Sequence, residues 1–139
     1  MNVLTRVLVL CTGNSARSQM AEGLLRHEGG PRYQVFSAGT HPSVVNPLAI
    51  EAMQEVGIDI SQHRSKSVTE FVKDEFDYVI TVCDNANESC PVLPGHAKRI
   101  HWSFDDPAMA EGSHDERLSM FRRVRDEIAS RLKEFVAHG

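Results

Sequence analysis

The chain has 139 residues, 41% apolar and 24% charged, with a formal net charge of -4. That length fits one domain over residues 1–139, able to bury a core without disulfide staples. There is no basic excess to neutralise nucleic-acid phosphates, and the early apolar run from Val7 to Leu10 is too short for a bilayer span or a signal segment, so a cytoplasmic protein with no nucleic-acid or membrane partner is expected.

In chain order, "RVLVL" (Arg6 to Leu10) is a short continuous apolar run of the kind buried on both faces of a parallel sheet. A helix is expected from Ser18 to about His27, ended by Gly29-Gly30-Pro31. "YQVFSA" (Tyr33 to Ala38) predicts a second strand, and Asn46-Pro47 an N-cap opening a helix to about Val56, with Gly57 after it. "SVTE" (Ser67 to Glu70) fits a capping box on a short helix. "YVITV" (Tyr78 to Val82) and "KRIHW" (Lys98 to Trp102) predict two more strands. "SHDE" (Ser113 to Glu116) is a second capping box; after it Leu118, Phe121, Val124, Ile128, Leu132 and Phe135 recur at spacings of three and four, the pattern of an amphipathic helix. Strands alternating with helices imply a parallel sheet covered on both sides. Ligands sit past the carboxyl ends of such sheets, where Cys11, Cys83 and the loop from Ser103 should lie.

The stretch "CTGNSAR" joins the first strand to a helix. The start of a helix presents backbone N–H groups without helical partners, and small residues let them curl into an anion-binding nest. Gly13 can take a positive φ at no cost, and Asn14 tolerates one. Arg17 offers a planar fork for two oxygens of a tetrahedral anion. Cys11 would lie at the bottom of this cup, where the amides and Arg17 favour thiolate and should bring its pKa below the free value of about 8.5. The bare C-x5-R spacing is a weak signal, and a buried small apolar side chain is the plainer reading of Cys11; the order strand, small-residue loop, arginine, helix favours a nucleophile. No G-x-x-x-x-G-K-[ST] loop is present, and the three cysteines lack zinc-ligand spacing. Three cysteines in a cytosolic chain are not a structural disulfide framework, so Cys83 and Cys90 read from local sequence alone equally well as a strand-end residue and a loop thiol.

"VLCTGNSARSQMAEG" resembles the active-site loop of the low-molecular-weight protein tyrosine phosphatase superfamily, and more narrowly of the thioredoxin-coupled arsenate reductases built on that fold. "FSAGT", "NPLAIEAMQEVGIDIS", "VCDNANESCPVLPG", "HWSFDDPA" and "FRRVRDEI" extend the resemblance along nearly the whole chain. It implies an α/β three-layer sandwich with a central four-stranded parallel sheet, of flavodoxin-like type. It also implies Cys11 as nucleophile, Cys83 as second thiol and Cys90 as third: arsenate is reduced to arsenite as a Cys11–Cys83 disulfide forms, then passes to Cys83–Cys90, which thioredoxin reduces. The amides of Thr12, Gly13, Asn14, Ser15 and Ala16, with Arg17, would bind the anion, and phosphate or sulfate would compete. The resemblance makes Asp106, directly before Pro107, the general acid in preference to Asp105, Ser18 a donor to the Cys11 thiolate, and Asn14 the organiser of the loop. No cofactor is implied, and a monomer in an arsenical-detoxification role is expected.

Cys83 and Cys90 are seven residues apart. In a continuous helix their Cα atoms would stand about 10.5 Å apart, and a disulfide needs about 7 Å or less. The segment between them must therefore loop or unwind when the bond forms, and Asp84, Asn85, Asn87 and Ser89 are weak helix formers. Ala16 and Gln19 occupy positions where tyrosine phosphatases carry cysteine and proline. Ala108, Met109 and Ala110 replace the aromatic residues that receive a phosphotyrosine ring. Both departures favour a reductase over the alternative, a low-molecular-weight phosphatase hydrolysing phosphomonoesters, although residual phosphatase activity is compatible with the loop. A non-catalytic oxyanion-binding or redox-sensing module, and coupling to glutaredoxin or a small thiol, are further alternatives. Some family members hold potassium beside the loop through side chains equivalent to Asn14 and Glu22. Here Arg64 and Lys66 stand where those members carry neutral or acidic groups, so a fixed cation is expected there and no metal site. The seven histidines are scattered; none is assigned a role, and His63 or His101 is expected to be packed.

Overall fold

The computed structural model describes residues 4–82 and 97–138. Strands β1 (Thr5–Cys11), β2 (Tyr33–Gly39), β3 (Tyr78–Thr81) and β4 (Lys98–His101) form one sheet in the order β2-β1-β3-β4. All three strand pairings are parallel. The described α-helices are α1 (Arg17–Gly29), α2 (Pro47–Gln54) and α3 (His114–His138). β1 is flanked on both sides, and Val7, Leu8, Val9 and Leu10 are wholly buried, as the unbroken apolar run requires. Burial of each such side chain contributes about 1.5–3 kcal/mol.

The pleat separates two faces. Ser37 of β2 points to α1, where it meets Glu22. Phe36 points the other way, and its ring meets Phe71 and Phe76 at 5.6 and 5.8 Å between centroids. The guanidinium of Arg6 lies over Phe36 and Phe76. The α1 side also carries α3, whose apolar stripe from Leu118 to Phe135 is buried. Phe135 packs on Tyr33, Tyr78 and Trp102, tying α3 to the amino ends of β2 and β3 and to the exit of β4.

Local signals set most of the boundaries. Asn46 caps α2 through its side chain, which accepts from the Leu48 amide at 2.8 Å. Ser113 and Glu116 exchange both bonds of a capping box, at 3.1 and 3.2 Å. The α2 helix ends at Gln54, two residues short of the expectation; Glu55 there turns to Arg122 and Arg125 of α3, a pairing that holds its carboxyl down at about 2. "SVTE" forms a 3-10 turn over Val68–Phe71 rather than an α-helix. The Ser67 hydroxyl accepts from Thr69 N, while Glu70 is drawn mainly to Arg64.

Candidate active site

Cys11 closes β1, with 3% of its surface exposed, and Arg17 opens α1. The five residues between them are held from outside. The carbonyls of Cys11, Thr12, Gly13 and Ser15 accept from the amides of Thr40, His41, Ser43 and Asn46 at 3.3, 2.8, 3.1 and 3.0 Å. The Asn14 carbonyl accepts from Gln19 Nε2 at 3.1 Å, and the Ala16 carbonyl from Met20 N at 2.9 Å. In a planar trans peptide the N–H points opposite to the C=O. Fixing six successive carbonyls outward therefore turns the amides of residues 12–17 to the other side, into a cup of donors of a kind that can hold a tetrahedral anion.

Asn14 is the keystone. It is wholly buried and is the one described non-glycine residue with positive φ, at 45°. Its Nδ2 donates to Ser18 Oγ at 2.8 Å and Ser37 Oγ at 3.0 Å; its Oδ1 accepts from Gln19 Nε2 at 2.9 Å and Lys66 N at 2.8 Å. That uses both donors and both lone pairs of the amide. Of the two residues suited to a positive φ, Asn14 adopts it and Gly13 does not; the four side-chain bonds of Asn14 compensate for the left-handed backbone. The glycine the loop does need is Gly39, at the end of β2. A Cβ there would meet Thr12 O at 2.5 Å and Asn14 N at 2.8 Å, so only glycine lets β2 pass this close to the cup. Gly39 stands within "FSAGT", where no local signal marks a long-range close approach.

Ser18 lies in the first turn of α1, wholly buried, and is not its cap. The cap position is Ala16, which offers no side-chain bond. Because Ser18 Oγ accepts from Asn14, its own proton is directed elsewhere. Arg17 Nη1 donates to the Phe104 carbonyl at 3.1 Å, and Nη2 lies 3.5 Å from Asp106 Oδ2. The loop after β4 thus returns to the arginine of the cup. Asp106 Oδ1 accepts from Ala108 N at 3.0 Å and caps the 3-10 turn Pro107–Met109. Asp105 faces away, paired with Arg123 at 2.6 Å. Cys83 and Cys90 fall outside the described residues, as do the relay and the rearrangement expected of them.

Beneath the cup lies a buried polar cluster. Glu22, 3% exposed, accepts from the Ser37 hydroxyl and pairs with Arg26 at 2.9 Å; His63 Nε2 and Lys66 Nζ each stand 3.7 Å away. Lys66 Nζ also donates to the Arg64 carbonyl at 3.0 Å. Burial pulls the Lys66 ammonium below its ordinary 10.5, opposed by Glu22. Asn14 and Glu22, the residues that would hold a monovalent cation, are already engaged, Glu22 with a protein ammonium beside it, so the set does not fit one. His63 is packed against Gln19 at 3.0 Å, while His101 is exposed yet bonded to Thr81 at 2.7 Å.

The Gln19 amide nitrogen is committed to three acceptors, Asn14 O, Asn14 Oδ1 and Arg64 O. Its Oε1 therefore faces His63, and the imidazole donates through Nδ1–H. Burial holds His63 below its ordinary 6.5, with Glu22 opposing and Arg26 and Lys66 adding to the shift. The folded chain thus takes up this proton less readily than the unfolded one. Stability from His63 is complete above about pH 6.5 and declines as pH falls below it. His63→Asn, whose Nδ2 can replace the Nδ1–H donor, should flatten that decline. Urea midpoints between about pH 5 and pH 7.5 measure it, and parallel curves for variant and wild type would refute the assignment.

Comparison with known proteins places this geometry. The low molecular weight phosphotyrosine protein phosphatase family matches residues 6–138. The chain is 49% identical over 133 residues to the arsenate reductases of Bacillus subtilis (strain 168) and Shouchella clausii (strain KSM-K16), covering 96% of this chain and of each relative. Among solved structures it is similar to an arsenate reductase in the phosphate binding state, with TM-score 0.79 and 34% identity over 97% of this chain and 98% of that one. It is also similar to a thioredoxin-dependent arsenate reductase of Corynebacterium glutamicum, with TM-score 0.77 and 31% identity over 97% of this chain and 61% of that one. With its Cys11–Arg17 loop between β1 and α1, its sheet order and the match over almost its full length, the chain belongs to the low molecular weight phosphotyrosine protein phosphatase family, on the branch that holds the arsenate reductases.

Proposed function

We propose that this protein reduces arsenate to arsenite, with thioredoxin as the source of electrons. The observation that carries the reading is the ring of outward-tied carbonyls around Cys11, which leaves the opposing backbone amides as donors for a tetrahedral anion that would sit above the thiol. Full-length similarity to arsenate reductases and two further cysteines in "CDNANESC" support reduction over hydrolysis.

The Cys11 thiolate attacks arsenic, and one oxygen leaves as water with a proton from Asp106. Thr12, Gly13, Asn14, Ser15, Ala16 and Arg17 hold the remaining oxygens, and the Ser18 hydroxyl donates to the thiolate. Cys83 then attacks the Cys11 sulfur. The S–As bond breaks with its electron pair going to arsenic, arsenite leaves, and a Cys11–Cys83 disulfide remains. Cys90 attacks Cys83 and frees Cys11, and a thioredoxin dithiol reduces Cys83–Cys90. One arsenate and two thiols thus give arsenite, one disulfide and water.

Phosphate and sulfate, being tetrahedral anions, compete for the cup. The protein acts as a monomer in the cytoplasm, where such thiols are kept reduced; no described helix is long and apolar enough to cross a membrane. The test is a coupled assay with arsenate, thioredoxin, thioredoxin reductase and NADPH. Arsenate-dependent NADPH oxidation that needs thioredoxin is expected. Turnover of phosphomonoesters with no arsenate reduction would make the protein a hydrolase, and anion binding without either activity would make it a sensor.

A further inference from the structure

The cup has one weak point. Its Gly13–Asn14 peptide lies between a residue with no Cβ and one whose φ is already 45°. Those are the two softest torsions in the loop. If this peptide turned over, its carbonyl would enter the cup and the Asn14 amide would leave it, replacing a donor with an acceptor where the anion binds. The same peptide has the most heavily tied carbonyl of the loop. Gly13 O accepts from Ser65 Oγ at 2.9 Å, from Ser43 N at 3.1 Å and, at a long 3.4 Å, from Ser43 Oγ. Ser65 Oγ in turn accepts from Ser43 N at 3.0 Å. The hydroxyl therefore closes a triangle with Gly13 and Ser43, joining the 60s segment, the 40s segment and the cup.

The neighbours of Ser65 fix its position. Lys66 N donates to Asn14 Oδ1 at 2.8 Å, and Lys66 O accepts from Gly39 N at 2.8 Å. These are main-chain bonds that persist whatever the side chain at 65. Among the described side chains of this strap, the Ser65 hydroxyl is the one that bonds a backbone carbonyl of the cup directly.

We propose that Ser65 is a positioning residue for the anion cup: its hydroxyl locks the Gly13–Asn14 peptide with the carbonyl outward, so that the Asn14 amide stays aimed at the bound oxyanion. This deepens the reading of the Cys11 loop as an oxyanion site and needs no part of the thiol relay. The residue touches no reacting atom. It acts through one peptide plane, and its loss weakens anion binding without dismantling the fold, since Ser43 N still reaches Gly13 O.

The probe is inorganic phosphate, titrated calorimetrically into the full chain. Ser65→Ala should weaken phosphate binding by roughly fivefold, the effect of one net hydrogen bond, with the unfolding midpoint little changed. Ser65→Thr, which restores the hydroxyl at a half-buried position, should recover most of that loss. Ser43→Ala keeps the amide and deletes only the 3.4 Å contact, so it should bind as wild type does. Wild-type affinity in Ser65→Ala overturns the proposal, as does a Ser43→Ala loss equal to that of Ser65→Ala. Phosphate binding requires no reduction, so a chain that binds phosphate but reduces no arsenate would refute the proposed activity and leave this inference standing.

Discussion

Cys11→Ser should abolish arsenate turnover, by roughly a thousandfold or more, while leaving phosphate binding within a few-fold of wild type. The cup proposed to hold the anion is made of main-chain amides fixed by bonds to residues 40–46 and to Asn14, none of which involves the Cys11 side chain. Serine replaces sulfur with a smaller atom in a buried site, so the loop keeps its support and loses its nucleophile. A hydroxyl is a far weaker nucleophile than a thiolate at neutral pH, and it cannot pass an electron pair to arsenic by forming a disulfide. The two relay cysteines should separate by stoichiometry. Cys83→Ser leaves the arsenic–sulfur adduct without its resolving thiol and releases no arsenite. Cys90→Ser releases up to one arsenite per chain and stops at the Cys11–Cys83 disulfide. Arsenite counted per protein chain in the absence and presence of thioredoxin distinguishes these outcomes. Full multiple turnover by Cys83→Ser would overturn the relay, and a phosphomonoesterase rate untouched by all changes except Cys11→Ser would favour hydrolysis.

The sequence made the sheet legible because its central strands β1 and β3 carry short apolar runs, wholly buried at Val7 to Leu10 of β1, and because α3 carries a strict apolar stripe behind a true capping box. The position of Cys11 and Arg17 at the two ends of one loop was legible for the same reason: a strand end and a helix start bracket it. What holds the loop was not. Ser37, Ser43 and Ser65 lie 23, 30 and 52 residues in sequence from the loop residues they bond, Gly39 is likewise remote from the loop it approaches, and nothing in the residues near them announces those partners. Gly13 and Asn14 both suit a left-handed backbone by residue type, and which of the two adopts it depends on the partners the fold supplies. Asn14 has four partners, three of them buried, that only the assembled β2, α1 and 60s segment supply. Gly13 is free to turn, and its carbonyl is tied instead.

Asp106→Asn should lower the rate of arsenate reduction by about 10²- to 10⁴-fold, the range lost with a positioned proton donor, and Asp105→Asn should leave it nearly unchanged. The two carboxylates are adjacent in sequence and face different surroundings. Asp105 is exposed and paired with Arg123 on α3, and an exposed pair of that kind contributes little. Asp106 returns to Arg17 across the mouth of the cup, with Oδ2 3.5 Å from the guanidinium, and caps the Pro107–Met109 turn through Oδ1. Asparagine preserves the oxygen that caps the turn, so the loop should keep its course; what disappears is the transferable proton. The loss should therefore fall on kcat, with the phosphate dissociation constant changed only as far as the altered charge beside Arg17 requires. Asp106→Ala, which removes the cap as well, should add a binding defect to the catalytic one. Pre-steady-state measurement of the first water-releasing step in a Cys83→Ser background isolates the proton transfer from the later thiol exchanges. Equal losses for Asp105→Asn and Asp106→Asn in that step would take the proton donor away from Asp106, because a carboxylate held on α3 by Arg123 cannot share a role with one turned toward Arg17.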